Sequence, residues 1–229
     1  MPMFKPREAN TDRAEPFNNG PCPDCRVHNK WCFCDKFPQL KSKTPVHFLM
    51  YHREWFLTTS SVYFAHKILL DSELQFRGKK DVTPDVQRMK PENYTPLYLY
   101  PDEEAVELTP EFLANLAAPP SLIIPDGSWR QVKRFKRRVP GLSSVQSVKL
   151  PPGPLSEWHL RTSPRSDGVC TFEALARALS IIEGPEIEDS MMEFFRIMVN
   201  RFLIVRKGKE YAKDKTQLQD STQNHRHYR

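Results

Sequence analysis

At 229 residues and 39% hydrophobic content, the chain is long enough for one sizeable core with a small appendage. It holds no run of about 18 uninterrupted apolar residues, which excludes a transmembrane helix, and its opening Met-Pro-Met-Phe-Lys-Pro-Arg-Glu has no apolar h-region, so a cytoplasmic protein is expected. A formal net charge of +6 favours nucleic acid or another anionic partner.

Residues 1–19 are polar and carry prolines, and are expected to form a flexible N-terminal segment. Residues 20–37 contain Cys22, Cys25, Cys32 and Cys34 in the pattern C-x2-C-x6-C-x-C. Two thiolate pairs this close can close on a tetrahedral Zn²⁺ ion. Disulfides or free thiols are the competing reading, and disulfides need an oxidising compartment. A closed four-sulfur site leaves no position open for water, so the expected role of the knuckle is structural. Trp31 and Phe33 are placed to pack on the main domain.

Val46 to Tyr51 reads as a first core strand, followed at its carboxyl end by His52-Arg53-Glu54-Trp55. Ser60 and Ser61 offer an N-cap to a helix reaching about Leu70. Residues 71–95 are polar and poorly periodic, and predict a loop or insertion. Leu97 to Tyr100 is a short strand, and Pro110 to Ala117 a helix with proline at its first position. Leu122 to Ile124 is a buried strand running into Asp126, and Gly127 permits a tight turn. Beyond it, Val132, Phe135 and Val139 form one apolar helical stripe, while six of the nine residues from Arg130 to Arg138 are Arg or Lys. Val145 to Leu150 is another strand, stopped by Pro151, Pro152 and Pro154. Thr171 is expected to cap a helix marked by Phe172, Leu175, Leu179 and Ile182 and ended by Gly184-Pro185. Ile187 to Val205 is a longer helix whose Met and Phe stripe reads as core. The charged stretch 207–229 is expected to be a flexible tail. Strands alternating with helices predict an α/β fold with a mainly parallel sheet flanked by helices.

A carboxylate, Asp126, thus ends a strand beside a cationic segment, and the carboxyl ends of strands are where open α/β sheets bind ligands. This points to an enzyme acting on a polyanion. Arg130, Lys133, Arg134 and Arg137 are either phosphate contacts or a solvated helix face.

Several segments carry a resemblance when taken in order. They are Met50-Tyr51-His52-Arg53-Glu54-Trp55-Phe56, Tyr100-Pro101-Asp102-Glu103-Glu104-Ala105, Asp126-Gly127-Ser128-Trp129, Arg161, and Cys170-Thr171-Phe172-Glu173-Ala174. With the cysteine spacing, they make residues 20 to about 210 resemble the DTW-domain family. Asp126-Gly127-Ser128-Trp129 is similar to its Asp-x-Thr-Trp signature, Ser128 keeping the hydroxyl of the usual Thr. After the first strand the family shows Asn-Thr-Gly-Arg, and this chain has Ser60-Ser61-Val62-Tyr63, without the glycine and the cation.

The family's bacterial members include tRNA-uridine aminocarboxypropyltransferases. The resemblance implies a knotted, SPOUT-like fold with residues 38–206 as the catalytic domain, S-adenosylmethionine as donor and tRNA as partner. The implied reaction moves the 3-amino-3-carboxypropyl group to N3 of a uridine and releases methylthioadenosine. An RNA methyltransferase on a related fold and a non-catalytic zinc-knuckle RNA-binding protein are the alternatives.

On this reading Asp126 is the candidate base for the uridine N3 proton, or else a cap of the basic helix, which would lower its pKa. Ser128 would orient Asp126 or touch the donor, and Trp129 would stack on a base or pack in the core. Arg53 and Glu54 would hold the donor's carboxylate and ammonium, or form a surface pair. Pro125, Asp126 and Gly127 would line the donor, with Thr171 and Glu173 at a helix start suited to an anion or a ribose hydroxyl. The cations Arg130, Lys133, Arg134 and Arg137 would hold tRNA phosphates. Cys170 reads as a small buried residue rather than a nucleophile.

Overall fold

The computed structural model describes residues 21–161 and 168–208. The segment expected over 1–19 and all but the first two residues of the tail expected from 207 lie outside them. Six strands run in chain order: β1 (Val46–Tyr51), β2 (Glu73–Arg77), β3 (Thr95–Leu99), β4 (Val106–Glu107), β5 (Pro120–Asp126) and β6 (Gln146–Lys149). They form one sheet in the order β2-β1-β5-β3-β6-β4, with every described pairing parallel. Helices flank it: α1 (Ser61–Ile68), α2 (Pro110–Ala114), α3 (Trp129–Val132), α4 (Phe135–Arg138), α5 (Thr171–Glu183) and α6 (Pro185–Lys207).

Parallel strands covered on both faces are apolar on both faces, and β1 and β5 show this. Phe48, Met50, Leu122 and Ile124 face the larger core, which includes Phe64 of α1, Phe172 and Leu175 of α5, and Phe194, Phe195 and Met198 of α6. Leu49, Ile123 and Tyr98 face a second core with Val86, Met89, Val132, Phe135, Val139 and Leu142.

Three expectations need correction. The stretch 71–95 is not a plain loop. It supplies β2, the edge strand, and a turn at Gln87–Met89 that buries Met89. The residues of β2 are no better than half-buried, so its apolar alternation is muted and escapes a search for periodicity. The apolar stripe of Val132, Phe135 and Val139 is buried as expected, but it is not on one helix: Val132 ends α3, Phe135 opens α4, and Val139 is the extended residue after α4. Thr171 is the first residue of α5, and Cys170 occupies the capping position.

Ser60 does cap α1, its hydroxyl accepting from the Tyr63 amide at 3.3 Å. Phe33 of the cysteine segment is fully buried against Phe37, Phe64, Phe194 and Phe202. Burying such a ring contributes about 2 to 3 kcal/mol, enough to seat the knuckle on the main core.

Candidate active site

The chain leaves β1 toward β2 on one side of the sheet, and leaves β5 toward β6 on the other. Loops departing in opposite directions open a crevice between the carboxyl ends of these neighbouring strands. Met50 of β1 pairs in register with Asp126 of β5, so the residues that follow each strand meet there. Gly127, at φ +154°, turns the chain beside Tyr51; a Cβ there would lie 3.3 Å from that of Tyr51 and 3.1 Å from Gln131 Oε1.

Asp126 is partly exposed at this crevice. The Thr171 hydroxyl donates to its Oδ1 at 2.6 Å. Burial pushes the Asp126 carboxyl up to about 6, and the Glu54 anion adds to the rise. The Thr171 hydrogen bond and the Arg161 cation pull the other way. Glu54 sits on the short helical turn His52–Phe56, and its carboxylate pairs with Arg161 at 3.2 Å. Arg161 also donates to the Thr59 carbonyl at 3.2 Å. Asp126, Glu54, Arg161 and Thr171 therefore form one polar cluster of three charged groups and a hydroxyl, drawn from four segments.

Asp126 does not cap the basic segment. The amide and hydroxyl of Ser128 both donate to Gln131 Oε1, at 2.7 and 2.8 Å, and close that turn locally. Its pKa is accordingly raised, not lowered, and Thr171 rather than Ser128 orients it. Trp129 is half-buried, its ring 6.0 Å from that of Tyr100. Arg53 is exposed, and the partner of Glu54 is Arg161 rather than its sequence neighbour. Glu173 is fully buried. It accepts from Ser156 Oγ at 2.6 Å, the Glu157 amide at 2.7 Å and the Cys170 amide at 2.9 Å, and so binds the 156–157 segment to the start of α5. Pro125 is buried behind Asp126. Arg130, Lys133 and Arg137 are exposed and Arg134 is half-buried. Arg161 carries no local signal of this role, because a lone arginine in a proline-bounded loop shows no partner until the chain folds.

The four cysteine sulfurs lie within 4.8 Å of one another. Cys22 and Cys34 are 3.5 Å apart, and Cys25 and Cys32 3.6 Å. A disulfide needs about 2.05 Å, whereas four ligands about 2.3 Å from a tetrahedral zinc ion stand about 3.8 Å apart. Hydrogen bonding from Cys34 holds the Cys25 thiol down at about 5, while the same contact pushes Cys34 up and burial pushes Cys32 up. Cys25 is thus the sulfur that ionises most readily, its charge held by the neighbouring thiols, and the spacing and donor set fit a metal.

The knuckle also grips the site's framework. Arg26 donates to the Leu57 carbonyl at 2.7 Å and lies 3.3 Å over the Tyr63 ring. The Tyr63 hydroxyl in turn donates to the Asp24 carbonyl at 2.8 Å. Tyr63, one of the positions where the chain departs from Asn-Thr-Gly-Arg, thus holds the knuckle to α1.

The DTW domain matches residues 20–203. The chain belongs to the DTW domain family. Curated relatives named tRNA-uridine aminocarboxypropyltransferase 2 are 32% identical over 109 residues in Drosophila melanogaster (47% of this chain, 42% of that protein). In Macaca fascicularis the figure is 33% over 87 residues (38% and 29%). The matched stretch is thus less than half the length of these relatives. A solved structure titled the SAM-dependent rRNA:acp-transferase Tsr3 from Vulcanisaeta distributa is 18% identical with a TM-score of 0.42, over 74% of this chain and 84% of that one. Among the described residues of this DTW chain, no helix is long and apolar enough to cross a membrane.

Proposed function

We propose that this DTW chain transfers the 3-amino-3-carboxypropyl group of S-adenosylmethionine to N3 of a uridine in tRNA. The observation that carries the reading is Asp126, a carboxylate at the crevice between β1 and β5, raised to about 6 and aimed by Thr171. The names of the relatives support the substrate and the group transferred.

A base is most effective when its pKa lies near the working pH. At pH 7 Asp126 is mostly ionised, yet a better proton acceptor than an ordinary carboxylate. It takes the proton from uridine N3 as N3 forms a bond to the donor's side-chain carbon. The bond from that carbon to sulfur breaks, its electron pair neutralises the sulfonium, and methylthioadenosine leaves. Glu54, fixed by Arg161, holds the donor's ammonium, and Arg53 on the same turn meets its carboxylate. Pro125, Asp126 and Gly127 line the donor together with Thr171, whose helix start Glu173 keeps in place. Ser128 shapes the turn and Trp129 stacks on a base. Arg130, Lys133, Arg134 and Arg137 contact tRNA phosphates. Cys22, Cys25, Cys32 and Cys34 would hold a structural Zn²⁺, which stabilises the knuckle and has no open position for chemistry.

Mass analysis of nucleosides, from tRNA treated with the purified protein and S-adenosylmethionine, tests this. An aminocarboxypropyl gain on uridine is expected. A gain of one methyl, or no change despite tight tRNA binding, overturns it.

A further inference from the structure

Beside the crevice, on the β2 side, the surface combines an exposed aromatic with unpaired cations. Phe56 ends the turn that carries Glu54 and is 67% exposed, the most open aromatic among the core-forming segments. Its neighbour Leu57 is 42% exposed, and the open face of the Phe56 ring is available for stacking. The turn is pinned from behind, by Arg26 on the Leu57 carbonyl at 2.7 Å and by Arg161 on Glu54. The His52 ring packs nearly perpendicular to those of Phe56, at 5.1 Å, and of Phe76 of β2, at 5.4 Å. Phe56 is thus fixed outward.

Phe76 leads directly into Arg77-Gly78-Lys79-Lys80. Arg77 pairs in register with Tyr51, so this turn leaves the sheet at the same carboxyl edge as Asp126, one strand beyond β1. Gly78 has φ +82°, and a Cβ there would stand 2.5 Å from the Tyr51 ring. The glycine therefore lets the turn lie flat on Tyr51, which itself abuts Gly127. Lys79 and Lys80 are exposed, and Arg77, Lys79 and Lys80 enter no ion pair among the described residues. Asp81 is the one acid that follows them directly. Cations interleaved with a fixed, outward aromatic are the pattern by which proteins hold unstacked nucleic acid, rings taking bases and cations taking phosphates.

We infer that Phe56 stacks on a nucleobase next to the one presented to Asp126, while Arg77, Lys79 and Lys80 hold the adjoining RNA phosphates. This rests on the tRNA-modifying reading and adds a second contact surface on the side of the crevice away from α3 and α4. It is tested by tRNA binding to the full chain over a range of salt concentrations, for wild type, Phe56→Ala, Phe56→Trp and the double variant Lys79→Ala/Lys80→Ala. Phe56→Ala is expected to weaken binding about tenfold with the salt slope unchanged, and Phe56→Trp to restore it. The lysine variant is expected to reduce the slope of log affinity against log salt by roughly 1.5 to 2. Wild-type binding with all variants unchanged overturns the surface and leaves the proposed function standing. Wild-type protein that does not bind tRNA overturns both. A Phe56→Ala variant that alters self-association but not tRNA affinity would show that the ring meets a second protein copy, and also overturns it.

Discussion

Thr171 and Asp126 stand 45 residues apart in the chain and 2.6 Å apart in space, the hydroxyl donating to Oδ1. This bond joins the first residue of α5 to the last of β5, and it favours the ionised carboxylate against the effect of burial. Thr171→Val removes it with little change of shape. Asp126 should then titrate above about 6, and the acid limb of a rate-against-pH profile should move to higher pH. Thr171→Ser should keep the wild-type limb. An unmoved limb in the valine variant would show that Thr171 does not set the titration of Asp126.

Asp126→Asn should reduce turnover at least about a hundredfold and leave tRNA affinity within about threefold. Equal losses in the two measurements would remove Asp126 from the chemistry.

The same variant makes a stability prediction. The folded pKa of Asp126, about 6, lies above its ordinary 3.8. The fold thus favours the protonated acid, so the stabilisation it brings is complete below pH 3.8 and is lost as pH rises through 6. Asparagine has no charge to bury. The melting temperature of Asp126→Asn should therefore exceed that of wild type at pH 7 to 8, and the gap should narrow as pH falls toward 4.

Glu173 is buried with three donors on its carboxylate. Glu173→Ala leaves two amides and a hydroxyl without their partner, at a cost of about 3 kcal/mol. For a chain of this size that is roughly 6 to 12 °C in Tm. A melting curve within a degree of wild type would show that the 156–157 segment finds other partners.

Cys22→Ser should lower the metal content of the purified protein and its folded yield, because Phe33 and Arg26 depend on the knuckle's shape. Wild-type protein that is metal-free and fully folded would speak against the site.

Much of this molecule was legible from local pattern. The apolar runs at Val46 and Leu122 became β1 and β5 because burial on both faces needs no partner information to be written into a strand. The close spacing of Cys22, Cys25, Cys32 and Cys34 brought four sulfurs together because few backbone conformations separate residues so near in sequence. The candidate site was legible only in part. Asp126 at a strand's end was visible, but its partner was not. The sequence offers Arg53 beside Glu54 and Ser128 beside Asp126; the structure pairs Glu54 with Arg161, Asp126 with Thr171, and Ser128 with Gln131. Edge strand β2 stayed hidden because a half-buried strand leaves a faint apolar signal. What the sequence by itself determined was strands β1, β3, β5 and β6, the cysteine cluster and the placing of one carboxylate, since each depends on residues within a few positions of one another. The tertiary structure decided which groups orient and charge that carboxylate. Those contacts span 45 and 107 residues, and they exist only once the sheet order sets the carboxyl ends of β1 and β5 side by side.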